Sequence, residues 1–159
     1  MMTKISASSK KRGFESLDTH YKVQLAAGGH DAIAYLQGQG PYSDRSRYEF
    51  PSYILTDLQM PEGDGFHVLQ FIKENPALSV IPVVVLSNSD DTDDIRHAYL
   101  LGASSYFVKP LDIPSMRKLL KKIHDYWIEC EVPEVEAAGY ATPTDSTGRP
   151  GARYKKPKR

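Results

Sequence analysis

Residues 80–90 read VIPVVVLSNSD, and the run from Val80 to Leu86 decides how the chain folds. It is apolar on both faces and ends abruptly in a polar turn. A strand with one wet face alternates apolar and polar residues. A short continuous apolar run is instead a strand covered on both sides, as in a parallel sheet with helices on each face.

The flanking sequence agrees with that reading. Upstream, Tyr21–Ala26 reads as a short strand closed by the Gly28-Gly29 turn, and His30–Leu36 shows helical spacing. A polar loop spans 37–50. Ser52–Thr56 is a β-rich run stopping at Asp57, followed by a loop containing Gly63 and Gly65. Phe66–Glu74 is helical, with Val68, Leu69, Phe71 and Ile72 on its apolar side. Downstream, Asp93–Leu101 reads as a helix stopped by Gly102, and Ser105–Val108 as the last strand. Asp112 caps a helix running to about Cys130, with Pro114 tolerated in its first turn. Strand and helix alternate, so the expected architecture is an open, five-stranded parallel α/β sheet with helices on both faces. Ligands in such sheets bind beyond the carboxyl ends of the strands. Those ends carry Asp57, Ser87 and Lys109: an acid, a hydroxyl and a cation on one edge.

Bulk properties restrict the rest. The 159 residues suit one domain; 40% are hydrophobic, 25% are charged and the formal net charge is zero, so the overall balance calls for neither nucleic acid nor a membrane surface. The one cysteine, Cys130, excludes an internal disulfide and suits a reducing cytoplasm. No apolar run approaches the roughly 20 residues needed to span a bilayer. The five histidines show no metal-binding spacing and read as surface residues. Residues 1–130 are expected to form the domain and 131–159, rich in Pro, Gly and Thr and basic at the end, a disordered tail that reads as a solvated terminus.

Three segments, ILTDLQMPEGDG, VVVLSNSD and LGASSYFVKP, resemble the signature segments of response-regulator receiver domains, the CheY-like flavodoxin-type fold. The likeness runs in order from about Val23 to Trp127. It implies that Asp57 is a phosphoacceptor whose carboxylate takes a phosphoryl group from a sensor histidine kinase. It also implies that Lys109 pairs with Asp57 and then with the phosphoryl oxygens, that Ser87 hydrogen-bonds one of those oxygens, and that Tyr106 is an aromatic switch. Pro110 is expected to follow a cis peptide bond. A magnesium ion is expected to be held by Asp57 and by the backbone carbonyl of Gln59. With the polar loop before the acceptor strand, the chain is similar to the small receivers paired with bacterial phytochromes. On this reading it is a cytoplasmic signalling protein and no enzyme beyond slow loss of its own phosphoryl group.

The sequence departs from the family at its start. Receivers open with an apolar strand ending in two metal-binding acids, and here no acidic residue precedes Glu15. Counting back from the Val23 strand puts the acidic pair at about Met1–Lys4. Either the first strand falls before the chain begins, or Thr3–Ala7 serves as a degenerate substitute. The empty acidic positions leave a second functional class open, a pseudo-receiver scaffold that is never phosphorylated. A hydrolase with an aspartyl nucleophile of the haloacid-dehalogenase type would need an acid two residues after Asp57, where Gln59 stands. The stripe Met116, Leu120, Ile123, Trp127 and Cys130 packs the last helix on the sheet. Trp127 and Ile123 are expected at or beside a homodimer interface, since Trp127 should lie beyond the sheet edge.

Overall fold

The computed structural model describes residues 3–7, 22–60 and 64–135; of Thr3–Ala7 and Lys22 it describes the backbone only. Five strands and four helices are present there: β1 (Thr3–Ala7), β2 (Lys22–Ala26), α1 (Gly29–Gln37), β3 (Pro51–Thr56), α2 (Gly65–Glu74), β4 (Val83–Ser87), α3 (Thr92–Leu100), β5 (Ser105–Val108) and α4 (Ile113–Glu129). The strands form one sheet in the order β2-β1-β3-β4-β5, every neighbouring pair parallel. This is the flavodoxin-like architecture expected.

The structure settles the question of the first strand. Thr3–Ala7 pairs with both β2 and β3, so the central position is filled and the ladder of its neighbours is complete. Ala7 stands level with Ala26 and Thr56. The acidic pair counted back to Met1–Lys4 is therefore misplaced, because those positions precede the carboxyl end of the strand. The next two residues in the sequence after Ala7, Ser8 and Ser9, lie outside the described residues.

A second correction concerns β4. The expected strand began at Val80, but it begins at Val83, because Pro82 has no N–H to give a ladder. Its carbonyl still accepts from the Ile54 N–H at 2.8 Å. All five residues of β4 are buried, and their side chains alternate between two cores. Val83 and Val85 join Ile54, Val68, Leu69, Ile72 and Ala98 under α1, α2 and α3. Val84 and Leu86 join Tyr53, Leu55, Leu120 and Ile123 under α4.

On α4 the stripe is used by the chain itself. Ile123 is 4% exposed within the second core, so it is not available as the interface residue expected. Trp127 is half-buried and stacks on Tyr53 of β3 with ring centroids 6.3 Å apart, so it lies over the sheet and not beyond its edge. His124, expected at the surface, is buried, because it follows Ile123 on the sheet-facing side; its Nδ1 lies 3.4 Å from the Tyr53 hydroxyl. Past α4, residues 131–135 are neither helix nor strand, yet Val135 packs against the first core. The rest of the expected tail, 136–159, lies outside the described residues, as does Gly63. Among the described residues no helix is long and apolar enough to cross a membrane.

The polar loop between α1 and β3 has its own small core. Tyr35, Tyr42 and Tyr48 meet edge-to-face, with centroids 5.1, 6.1 and 5.2 Å apart. The Arg45 guanidinium lies over Phe50 and donates to the carbonyls of Leu36 (2.6 Å) and Tyr48 (3.1 Å), closing the open end of α1. Burial pushes the Tyr35 hydroxyl up from its ordinary 10.0 to about 12. Burial, with the hydrogen bond to Asp31, raises Tyr42 to about 12 as well. The folded state thus holds these protons more tightly than the unfolded chain, and the stability they contribute is present below pH 10 and lost as pH rises towards about 12. Urea midpoints measured across that alkaline range should fall with pH, and Tyr42→Phe should make the fall shallower.

Candidate functional site

The carboxyl ends of β3, β4 and β5 meet at one edge, and the sequence of each end supplies one group. Asp57 follows Thr56 at the end of β3, Ser87 closes β4, and Lys109 follows Val108 at the end of β5. In the ladder Ser87 is paired with Val108, and the Lys109 N–H donates to the Ser87 carbonyl at 2.8 Å. Lys109 is thereby held beside Ser87, and its side chain crosses the end of β4. Lys109 Nζ and Asp57 Oδ2 form an ion pair, with the two side chains only 19% and 12% exposed. The other carboxylate oxygen, Oδ1, accepts from the Gln59 N–H at 3.1 Å. Both oxygens of Asp57 are thus engaged and oriented.

The structure also brings Tyr106 to this edge. Tyr106 stands opposite Val85 in the ladder, packs against the first core, and donates its hydroxyl to the Ser89 carbonyl at 2.8 Å. Ser87 is fully buried, and its Oγ accepts from the Ser89 N–H at 3.2 Å. The Lys109–Pro110 peptide is trans, correcting the cis bond expected. Trans is the form that X–Pro bonds favour by about 0.5–1 kcal/mol.

Sequence reasoning named Gly65 only as part of a loop. In the structure it is a point of contact between α2 and the turn after β3. Its N–H donates to the Leu58 carbonyl at 3.1 Å, and a Cβ there would overlap the Asp57 carbonyl oxygen. Asp64 caps the helix by accepting from the His67 N–H at 2.9 Å. The signal for this close approach is a glycine directly after a good capping residue, which the sequence displayed. Nothing in it said what the glycine approaches.

The described residues alone do not assemble a divalent-ion site. Among the described residues no group of three or more His, Cys, Asp or Glu is placed to hold a metal. Magnesium and its analogues need several oxygen ligands, carboxylates foremost. Among the described strand ends Asp57 is the acid, and it is ion-paired with Lys109.

The comparisons with known proteins agree with this geometry. The family profile of the response regulator receiver domain matches residues 5–121. The chain belongs to the response-regulator receiver family, a family of signalling domains, generally not enzymes, whose general role is phosphorylation-based signalling. Within it, the chain is similar to the receivers associated with phytochromes. It is 41% identical over 109 residues to Response regulator Rcp1 of Synechocystis sp., a match covering 69% of this chain and 72% of that protein. The crystal structure of the phosphorylated cyanobacterial phytochrome response regulator RcpA superposes with a TM-score of 0.76 at 30% identity, over 84% of this chain and 99% of that one. The manganese-bound form of Rcp1 gives 0.74 at 30% identity, over the same shares.

Gly65→Ala should damage the fold and the site together. The added methyl meets backbone, which cannot swing aside, so a loss at or beyond the usual ~1–3 kcal/mol of overpacking is expected. Chemical denaturation measures that loss, and NMR shifts at Asp57 and Leu58 should move further than those at the far end of α2.

Proposed function

We propose that this chain is a phosphorylation switch in which Asp57 accepts a phosphoryl group from a sensor histidine kinase, and that the signal leaves by protein contact. The observation carrying this reading is the Lys109–Asp57 ion pair at the carboxyl edge, beside the buried Ser87. An Asp57 oxygen forms the new O–P bond as the P–N bond of the phosphohistidine breaks. The imidazole departs with that electron pair and takes up a proton. Lys109 stabilises the charge that gathers on the phosphoryl oxygens, and the Ser87 hydroxyl donates to one of them. Tyr106, tied to the loop after β4, carries the change towards α3 and β5. The likeness to phytochrome-associated receivers favours a phytochrome-type kinase as the donor.

The metal site departs from the pattern the family resemblance implies, since no acidic residue precedes Glu15. With the acidic pair replaced, magnesium should bind weakly, and Lys109 supplies most of the positive charge at the acceptor. The pseudo-receiver reading rests on the same replacement. Acetyl phosphate, with and without magnesium, distinguishes the two. Label on the wild type and none on Asp57→Asn is the expected result. An unlabelled wild type at any magnesium concentration favours the scaffold.

Self-association remains part of the proposal, with its surface redrawn. With Ile123 buried, the exposed apolar groups beside the switch are Val108, Leu111 and Ile113, and Tyr126 is 63% exposed next to Trp127. A two-fold dimer using this face would cover them. Sedimentation at tens of micromolar should show a dimer that Tyr126→Glu weakens; a monomer in both cases removes the dimer from the proposal.

A further inference from the structure

Ser89, in the loop between β4 and α3, uses all of its hydrogen-bonding groups at once. Its N–H donates to Ser87 Oγ at 3.2 Å, and its carbonyl accepts from the Tyr106 hydroxyl at 2.8 Å. Its own hydroxyl accepts from the Asp91 N–H at 3.3 Å and donates to Asp94 Oδ2 at 2.6 Å. The last contact falls in the short range typical of a hydroxyl on a carboxylate, among the stronger bonds a neutral donor makes. One residue thus touches the hydroxyl next to the acceptor, the aromatic side chain on β5, and a helix.

Asp94 is not needed to cap that helix. Asp91 does so, its Oδ1 accepting from the N–H groups of Asp93 (2.8 Å) and Asp94 (3.3 Å). Both Asp93 and Asp94 lie in the first turn, where a negative charge complements the helix dipole. They differ in one respect: Asp93 is exposed, whereas Asp94 is half-buried and turned onto Ser89. The carboxylate of Asp94 therefore does something that the charge at a helix end does not explain.

We propose that Asp94 is a positioning residue for the phosphoacceptor site, anchoring Ser89 to α3 so that Ser89 orients the Ser87 hydroxyl and binds Tyr106 in the same loop conformation. Asp94 bonds neither Asp57 nor Lys109 and acts through Ser89. Because Ser87 Oγ accepts from Ser89, its proton is left to donate elsewhere, which is what a phosphoryl oxygen requires. Without the anchor the loop from Asn88 to Asp91 keeps its ends but loses the bond that sets its middle. Ser87 and Tyr106 then lose their shared partner together. The proposal rests on the reading of Asp57 as acceptor and Ser87 as the hydroxyl serving it.

The test compares the wild type with Asp94→Ala, Asp94→Asn, Ser89→Ala and Asp93→Ala. The asparagine keeps an oxygen that can accept from the Ser89 hydroxyl, and Asp93→Ala removes the same helix-end charge without touching Ser89. In the unphosphorylated proteins, amide hydrogen exchange at Ser89 should quicken about fivefold in Asp94→Ala and Ser89→Ala, the effect of losing one net hydrogen bond. Asp94→Asn and Asp93→Ala should stay near the wild type. Labelling of Asp57 by acetyl phosphate should slow by about the same factor in the first two variants and not in the others. Equal effects of Asp93→Ala and Asp94→Ala on exchange overturn the proposal, since helix-end charge alone would then account for Asp94. Altered exchange with unaltered labelling also overturns it. A wild type that takes no label overturns the Asp57 reading, while the exchange pattern still decides by itself whether Asp94 positions Ser89.

Discussion

Asp57 and Lys109 stand 52 residues apart in the chain, and their charged ends meet because β4 lies between the strands that carry them. The ion pair crosses the end of a strand whose five residues are all buried. A carboxylate so little exposed needs a permanent counter-charge, because removing one partner of such a pair leaves the other poorly solvated. The requirement works in both directions. The sheet order must place β3 and β5 on either side of β4, and each strand must end at the right level for the two side chains to reach. The hydrogen bond from the Lys109 N–H to the Ser87 carbonyl fixes that level on the β5 side.

Around this pair, packing leaves little freedom. Gly65 lets the start of α2 approach the turn after β3 as closely as a backbone can. On the other side, Ser89 gathers Ser87, Tyr106 and α3 into one hydrogen-bonded group. The Asp57–Lys109 pair is therefore seated between a close backbone contact and a hydrogen-bonded polar loop. Dense interiors shift between discrete arrangements and do not deform gradually.

The amino-terminal edge is where the chain differs from its family. β1 is in place and pairs on both sides, yet no acidic residue precedes Glu15 in the sequence. Fold and metal site are separable here. Ladder pairing depends on the backbone and tolerates a strand of modest hydrophobicity, whereas binding a hard cation depends on particular carboxylates. The likeness to the manganese-bound Rcp1 structure thus speaks for the scaffold and leaves the metal to the residues.

Much of this was legible in the linear chain. The unbroken apolar run before Ser87 announced a strand buried on both faces, and the alternation around it announced a parallel sheet; from there Asp57, Ser87 and Lys109 fell on one edge, since strand ends in such sheets share a side. Local chemistry determined these things: apolar periodicity, a cap at Asp112, a glycine stop after α3. Other features depended on which surfaces meet. Trp127 reads equally well as core or partner surface, and only Tyr53 beneath it decides. The loop of 37–50 reads as polar, and only in three dimensions do Tyr42 and Tyr48 meet and Arg45 lie over Phe50. The first strand could not be placed by counting, because the register of a parallel strand is set by its neighbours and not by distance along the chain. The partnership of Ser89 with Asp94 left no sequence signal at all, for a serine and an aspartate five residues apart are ordinary until a strand end and a helix start bring them face to face.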